Sequence, residues 1–181
     1  LDLPARIRAC TRGMREKTSY RVSSLLMLLI VHLSLGWRRL RDLDYYRDDP
    51  LLSRTVGLRK IPSVSTISRF LKSMDPGVAE RYRLLSRDLV IQRITESCPT
   101  RVTLDFDGSV LSTKSRRTEG TAIGFNRKAK GSRSYYPLFA TVAQTGQVFD
   151  YLFRPGNVHD SQGAIEFMEE CFAALAQQGF Q

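Results

Sequence analysis

The sequence predicts an α+β protein, with a helical N-terminal region followed by antiparallel strands and then a helix. Three observations carry that reading. Up to about residue 98, leucine-rich stretches at helical spacing alternate with turn-forming residues. From Thr100 the texture changes, and Arg101–Asp107 sets Val102, Leu104 and Phe106 against Thr103, Asp105 and Asp107, the period-two alternation of a strand. Two further strand-like runs follow, and the last stretch returns to helical spacing.

Taken in order, the helical stretches are Ser19–Leu35, Gly36–Tyr46, Ser65–Met74 and Pro76–Glu96. Asp49-Pro50, Lys60-Ile61-Pro62 and Asp75-Pro76-Gly77 punctuate them, since proline and glycine interrupt regular structure. The apolar residues Leu25–Leu35 and Trp37 are expected in a core. Leu138–Ala143 and Gln147–Phe153 flank Gln144-Thr145-Gly146, a spacing that predicts an antiparallel hairpin. Beyond the turn Arg154-Pro155-Gly156-Asn157, Ser161–Gln178 places Ile165, Met168, Phe172 and Leu175 at helical spacing, with Asp160 as its expected N-terminal cap. The boundary between the two textures falls at Cys98–Thr100, giving regions 1–98 and 99–181.

Composition bounds the function. The 181 residues, 42% hydrophobic and 25% charged, are ordinary for a globular chain and argue against disorder. Lys and Arg number 28 against 18 Asp and Glu, and the net charge of +10 favours an anionic partner, nucleic acid or an acidic membrane surface. The apolar run Val22–Leu35 is too short to cross a bilayer and is interrupted by Ser23, Ser24, His32 and Ser34, so it reads as a buried helix. Nothing at the N-terminus resembles a signal peptide, and the chain, opening without Met, is expected to be a fragment. Cys10, Cys98 and Cys171 are widely spaced and odd in number, the pattern of reduced structural thiols. His32 and His159 are isolated and do not make a metal site.

The chemistry concentrates on the strand. Asp105 and Asp107 lie two residues apart, so both carboxylates share one face of it. A rigidly held carboxylate is a good ligand for a hard divalent cation, the requirement of two-metal phosphoryl transfer. The plainer alternative is that they solvate an exposed face. Taken alone, Leu104-Asp105-Phe106-Asp107-Gly108-Ser109 also resembles the first motif of haloacid-dehalogenase-like phosphatases. That resemblance implies Asp105 as nucleophile, Asp107 as general acid and a parallel sheet with alternating helices. The hundred helical residues in front and the antiparallel hairpin behind point away from it.

In their wider setting the same residues resemble a DDE transposase of a bacterial insertion sequence. The likeness runs through Gly36-Trp37-Arg38-Arg39-Leu40-Arg41-Asp42-Leu43, Arg47-Asp48-Asp49-Pro50-Leu51-Leu52, Val56-Gly57-Leu58 and Ile61–Leu71. It continues with Asp107-Gly108-Ser109, Gly124-Phe125-Asn126-Arg127-Lys128, Gly131 through Leu138, and Arg154–Asp160. The resemblance implies a ribonuclease-H-like core, with Asp107 the first catalytic acid and Asp105 a supporting one. It implies Mg²⁺ as cofactor, DNA as partner (transposon ends and target), and self-association of the full-length enzyme. A bacterial cytoplasmic, nucleoid-associated location away from any membrane follows. The family's second aspartate and its glutamate would lie beyond Gln181, so the core is expected to be incomplete here, and a non-catalytic DNA-binding remnant stays open as an alternative.

Two regions are candidates for DNA contact. Lys114, Arg116, Arg117, Arg127, Lys128, Lys130 and Arg133 crowd between the first strand and the hairpin against the single acid Glu119, with Phe125, Tyr135 and Tyr136 interleaved. A flexible cationic segment of this kind suits phosphates, and its aromatics suit unpaired bases. Pro62–Leu71 reads either as the second helix of a helix-turn-helix, offering Ser63, Ser65, Ser68, Arg69 and Lys72 to a groove, or as a bundle helix burying Ile67, Phe70 and Leu71.

Overall fold

A computed structural model describes residues 2–13, 20–97, 101–124, 126 and 129–180. Ser19, the textural boundary Cys98–Thr100, and Phe125, Arg127 and Lys128 lie outside the described residues. The chain divides into two compact units, Leu1–Leu85 and Ser86–Gln181.

The first unit is helical. Helix α1, Leu3–Cys10, opens on Asp2, whose carboxylate accepts from the Ala5 amide at 3.0 Å. Helix α2, Val22–Ser34, ends where Gly36 takes a φ of +85°, a left-handed conformation that glycine adopts without steric cost. The predicted helix Gly36–Tyr46 is therefore only a 3₁₀ segment, Leu40–Tyr46. Helix α3, Pro50–Thr55, follows, started by the Asp49 carboxylate, which accepts from the amides of Leu51 (2.8 Å) and Leu52 (3.2 Å). Helix α4, Val64–Lys72, is capped by Ser63, whose hydroxyl accepts from the Thr66 amide. Helix α5, Pro76–Glu96, begins in this unit and ends in the next.

Leu25, Leu28, Leu43, Ile61, Ile67 and Phe70 form the centre of the first core. Ile67 is fully buried, so truncation to Ala costs about 2–5 kcal/mol. Two expectations fail here. Leu71 is exposed, because α4 is too short and too peripheral to bury more than the stripe of Ile67 and Phe70. On α2, Leu25 and Leu28 are buried, whereas Ile30, Leu33 and Leu35 face solvent, since one helix face suffices to fill this core. Trp37 is half-buried and stacks on the exposed Tyr45 at 5.1 Å between ring centroids.

The second unit holds two small antiparallel sheets. Strand β1 is Leu104–Gly108, and β5 (Leu138–Val142) and β6 (Val148–Leu152) form the predicted hairpin, in the order β1-β5-β6. Asp107 pairs in register with Phe139, which pairs with Tyr151. Helix α6, Ala164–Ala176, and the end of α5 contribute Phe167, Cys171, Leu175, Val90 and Ile94 to a core with Leu138, Ala140, Val142 and Phe149. Arg87 fastens this packing through Asp150 (3.3 Å) and Glu170 (3.2 Å). Leu104 and Phe106 lean against the core, and the alternation leaves Asp105 and Asp107 exposed together on the other face, as the spacing requires.

Among its described residues, the cationic segment contains paired strands. Strands β2 (Leu111–Thr113), β3 (Ala122–Ile123) and β4 (Arg133–Tyr135) form a second sheet in the order β2-β4-β3. Its interior is polar: Asn126 donates to the hydroxyls of Ser112 (2.7 Å) and Ser132 (3.1 Å) and accepts from the Ala129 amide (3.1 Å). Such a satisfied amide ties Ser112 to Ser132.

Candidate functional site

At the end of β1 the chain passes from Asp107 through Gly108 into Ser109, whose amide donates to the Pro137 carbonyl at 3.0 Å. Gly108 is needed because Tyr136 packs directly on its α-carbon. The Tyr136 hydroxyl hydrogen-bonds the Asp160 carboxylate. That bond above all, then burial and the negative charges of Asp160 and Asp107, holds the phenol above its usual range despite the opposing pull of Arg154. Tyr136 is accordingly a neutral donor at physiological pH.

Arg154 organises the loop that brings Asp160 here. Its guanidinium is buried and sits 5.3 Å from the Tyr136 ring centroid. It donates to the carbonyls of Tyr136 (3.1 Å), Asp160 (3.0 Å) and Gln162 (2.9 Å). The planar fork of arginine suits such divergent acceptors, as an ammonium does not. Asp160 is thus no helix cap: the residue before α6 is Gly163 with a left-handed φ of +68°, and no side chain caps this terminus. Its position three residues earlier turns its carboxylate toward Tyr136 instead.

Gly108, Ser109 and Val110 from the end of β1 line one side of a cleft of about 570 Å³, and Tyr136, Val158, His159 and Asp160 line another. Ser112, Asn126 and Gly156 complete its described wall. Gly156 and Gly124 belong to a close backbone crossing, where a Cβ on Gly124 would overlap the Gly156 carbonyl.

The remaining predicted contact residues separate into two groups. Lys114, Arg116, Arg117 and Lys130 are exposed around the small sheet. Arg133 and Tyr135 are half-buried within it: the Arg133 guanidinium donates to the Thr121 hydroxyl at 2.9 Å and to its carbonyl, and Tyr135 packs on Phe153 at 4.6 Å between centroids. Arg127 and Lys128 lie outside the described residues. Ser65 and Arg69 are exposed one turn apart on α4 in the first unit, with Arg69 Nε donating to the Ser65 carbonyl at 3.3 Å. The sequence marks Tyr136 only as an aromatic of the cationic segment and Arg154 and Asp160 only as parts of one motif; the sequence does not show that the three come together.

Exposed carboxylates on a paired strand, next to a cleft and exposed cations, are an arrangement that metal-dependent phosphoryl transfer can use. The chain belongs to a particular family: the model of the transposase DDE domain, group 1, matches residues 1–180. No curated protein and no solved structure matches the chain. The general activity is therefore DNA transposition, with DNA as partner and a divalent metal as the family's cofactor. The antiparallel pairing of β1 with β5 departs from the parallel sheet that a dehalogenase-like phosphatase would need. Asp105 and Asp107 offer the hard oxygen donors a divalent cation prefers, and among the described residues no group of three or more His, Cys, Asp or Glu is placed to hold one. No described helix is long and apolar enough to cross a membrane.

Proposed function

We propose that this chain contributes DNA binding and the first acid of the metal-dependent cleavage and strand-transfer site of an insertion-sequence transposase. Region 99–181 supplies the catalytic part, and region 1–98 binds or organises DNA, with Ser65 and Arg69 of α4 facing it. The observation that carries the reading is the exposure of Asp107 on the open face of β1, beside a cleft and within the unit that carries Lys114, Arg116, Arg117 and Lys130.

Asp107 is the principal carboxylate and Asp105 supports it. Bound Mg²⁺ would supply charge neutralisation at the phosphate under attack and at the leaving oxygen. The protein's own part is to keep Asp107 on a paired strand and to hold phosphates with the exposed cations, which releases counterions from DNA. Arg127 and Lys128 are assigned to the same cationic group. In the assembled enzyme the chain self-associates on DNA in the bacterial nucleoid.

Fluorescence anisotropy with labelled duplex DNA over a salt series tests the reading. Binding whose log affinity falls linearly with log salt, and weakens when Lys114, Arg116, Arg117 and Lys130 are replaced by Ala, supports it. Binding unaffected by these replacements contradicts it.

A further inference from the structure

The small sheet built by the cationic segment carries an apolar face. Its register sets Leu111 beside Tyr135, and Thr113 and Ile123 beside Arg133, so these five side chains share one side of the sheet, opposite Ser112, Ser134 and Ala122. Leu111 is 44% exposed and Ile123 60%. Phe153, 55% exposed, extends the face by packing on the Tyr135 ring at 4.6 Å between centroids. The two polar side chains at the centre direct their donors at the sheet's own connection: the Tyr135 hydroxyl donates to the Glu119 carbonyl at 2.5 Å, and Arg133 Nε donates to the Thr121 hydroxyl at 2.9 Å. What they leave on the face is a ring and an aliphatic stem.

Charge identifies the occupant. Thr113 pairs with Arg133, so the chain leaves β2 through Lys114 and approaches β4 from Lys130 at the same end of the sheet. Lys114, Arg116, Arg117 and Lys130 are all exposed. An apolar face with cations at its end is complementary to a surface with apolar walls and an anionic rim. The minor groove of duplex DNA is such a surface, with deoxyribose rings between two rows of phosphates. The major groove is read instead by donors and acceptors free to reach base edges, and Tyr135 and Arg133 have theirs engaged. Three strands at about 4.8 Å spacing span about 10 Å, whereas the B-form minor groove is about 6 Å wide, so the groove must open to admit the sheet. Opening it bends the duplex. We propose that Leu111, Ile123 and Phe153 lie in a widened minor groove of duplex DNA, with Lys114 and Lys130 on the flanking phosphates, and that this seating bends the duplex. The inference rests on the DNA reading above, and it adds a salt-insensitive contact that the exposed cations do not supply.

The test uses the whole chain and a duplex with an A·T-rich centre, labelled at its two ends for resonance energy transfer. The unaltered chain is expected to raise transfer between the ends. A variant carrying both Ile123→Ser and Phe153→Ser should lose that rise and bind about tenfold more weakly, with an unchanged slope of log affinity against log salt. A second measurement needs no variant: netropsin, which fills the minor groove, should displace the unaltered chain at concentrations at which methyl green, a major-groove ligand, does not. Salt-dependent binding that adds no transfer, ignores the double substitution and resists netropsin overturns the groove contact and leaves the DNA reading standing. Unchanged DNA binding with lost self-association in the double variant assigns the face to a second copy of the chain and likewise overturns it. Failure of the unaltered chain to bind the duplex overturns both.

Discussion

A Cβ on Gly108 would stand 2.5 Å from both Cζ and Oη of Tyr136, so the tyrosine occupies the space that any other side chain after Asp107 would claim. The residue next to the proposed metal ligand is thereby tied to the loop before α6, through Tyr136 and Asp160. Gly108→Ala is expected to push the phenol away and break its bond to Asp160, lowering stability by about 1 kcal/mol. In a Tyr136→Ala background the same change should cost almost nothing. Urea denaturation of the four proteins in a double-mutant cycle measures the difference.

Arg154 should be among the least replaceable side chains of the second unit. Arg154→Lys keeps the charge but cannot reach the carbonyls of Tyr136, Asp160 and Gln162 together, and buried acceptors left without donors are costly. A loss of about 3 kcal/mol is expected by urea denaturation. Equal stability of the lysine variant would show that the loop is held by other means.

The half-buried Tyr46 phenol, whose hydroxyl pairs with His32 Nδ1, gives the first unit an alkaline limit. Burial first, then the charge of Asp42, raises the Tyr46 phenol to about 12 from its usual 10. Because the folded value lies above the unfolded one, the associated stability is fully present below pH 10 and is lost as pH rises to about 12. Thermal denaturation between these limits should show a fall in melting temperature that Tyr46→Phe reduces.

Much of the fold was legible where a pattern had room to repeat. Alternation over residues 102–107 sufficed for β1, observed as Leu104–Gly108, and the hairpin and α6 each carried their period over a full element. Helix α3 was hidden because Asp49-Pro50 reads as a break, although Asp before Pro is equally a cap followed by a first helical residue. The small sheet was hidden for a different reason: strands of two and three residues cannot display a period, and Asn126 rather than an apolar core holds them. At the site, the position of Asp105 and Asp107 on one face followed from spacing alone. The partnership of Tyr136 with Asp160 could not, because it depends on Gly163 taking a left-handed turn and on Arg154 gathering three carbonyls.

The exposed cations should act additively on DNA. Replacing Lys114, Arg116, Arg117 and Lys130 together by Ala is expected to reduce the slope of log affinity against log salt by about 3 to 4, since each phosphate that a cation neutralises adds about 0.9 to it. Arg133→Ala should act mainly on stability, because its guanidinium is engaged with Thr121. Anisotropy titrations over a salt series, with urea denaturation alongside, separate the two effects.

Whether Asp107 binds a divalent metal on the open face of β1 is tested most directly by Mn²⁺ titration followed by NMR. Paramagnetic broadening of the amides from Asp105 to Ser109, competed away by Mg²⁺ and abolished in Asp107→Asn, is the predicted result. Broadening that spares this strand, or that persists unchanged in Asp107→Asn, would contradict a metal-binding role for Asp107.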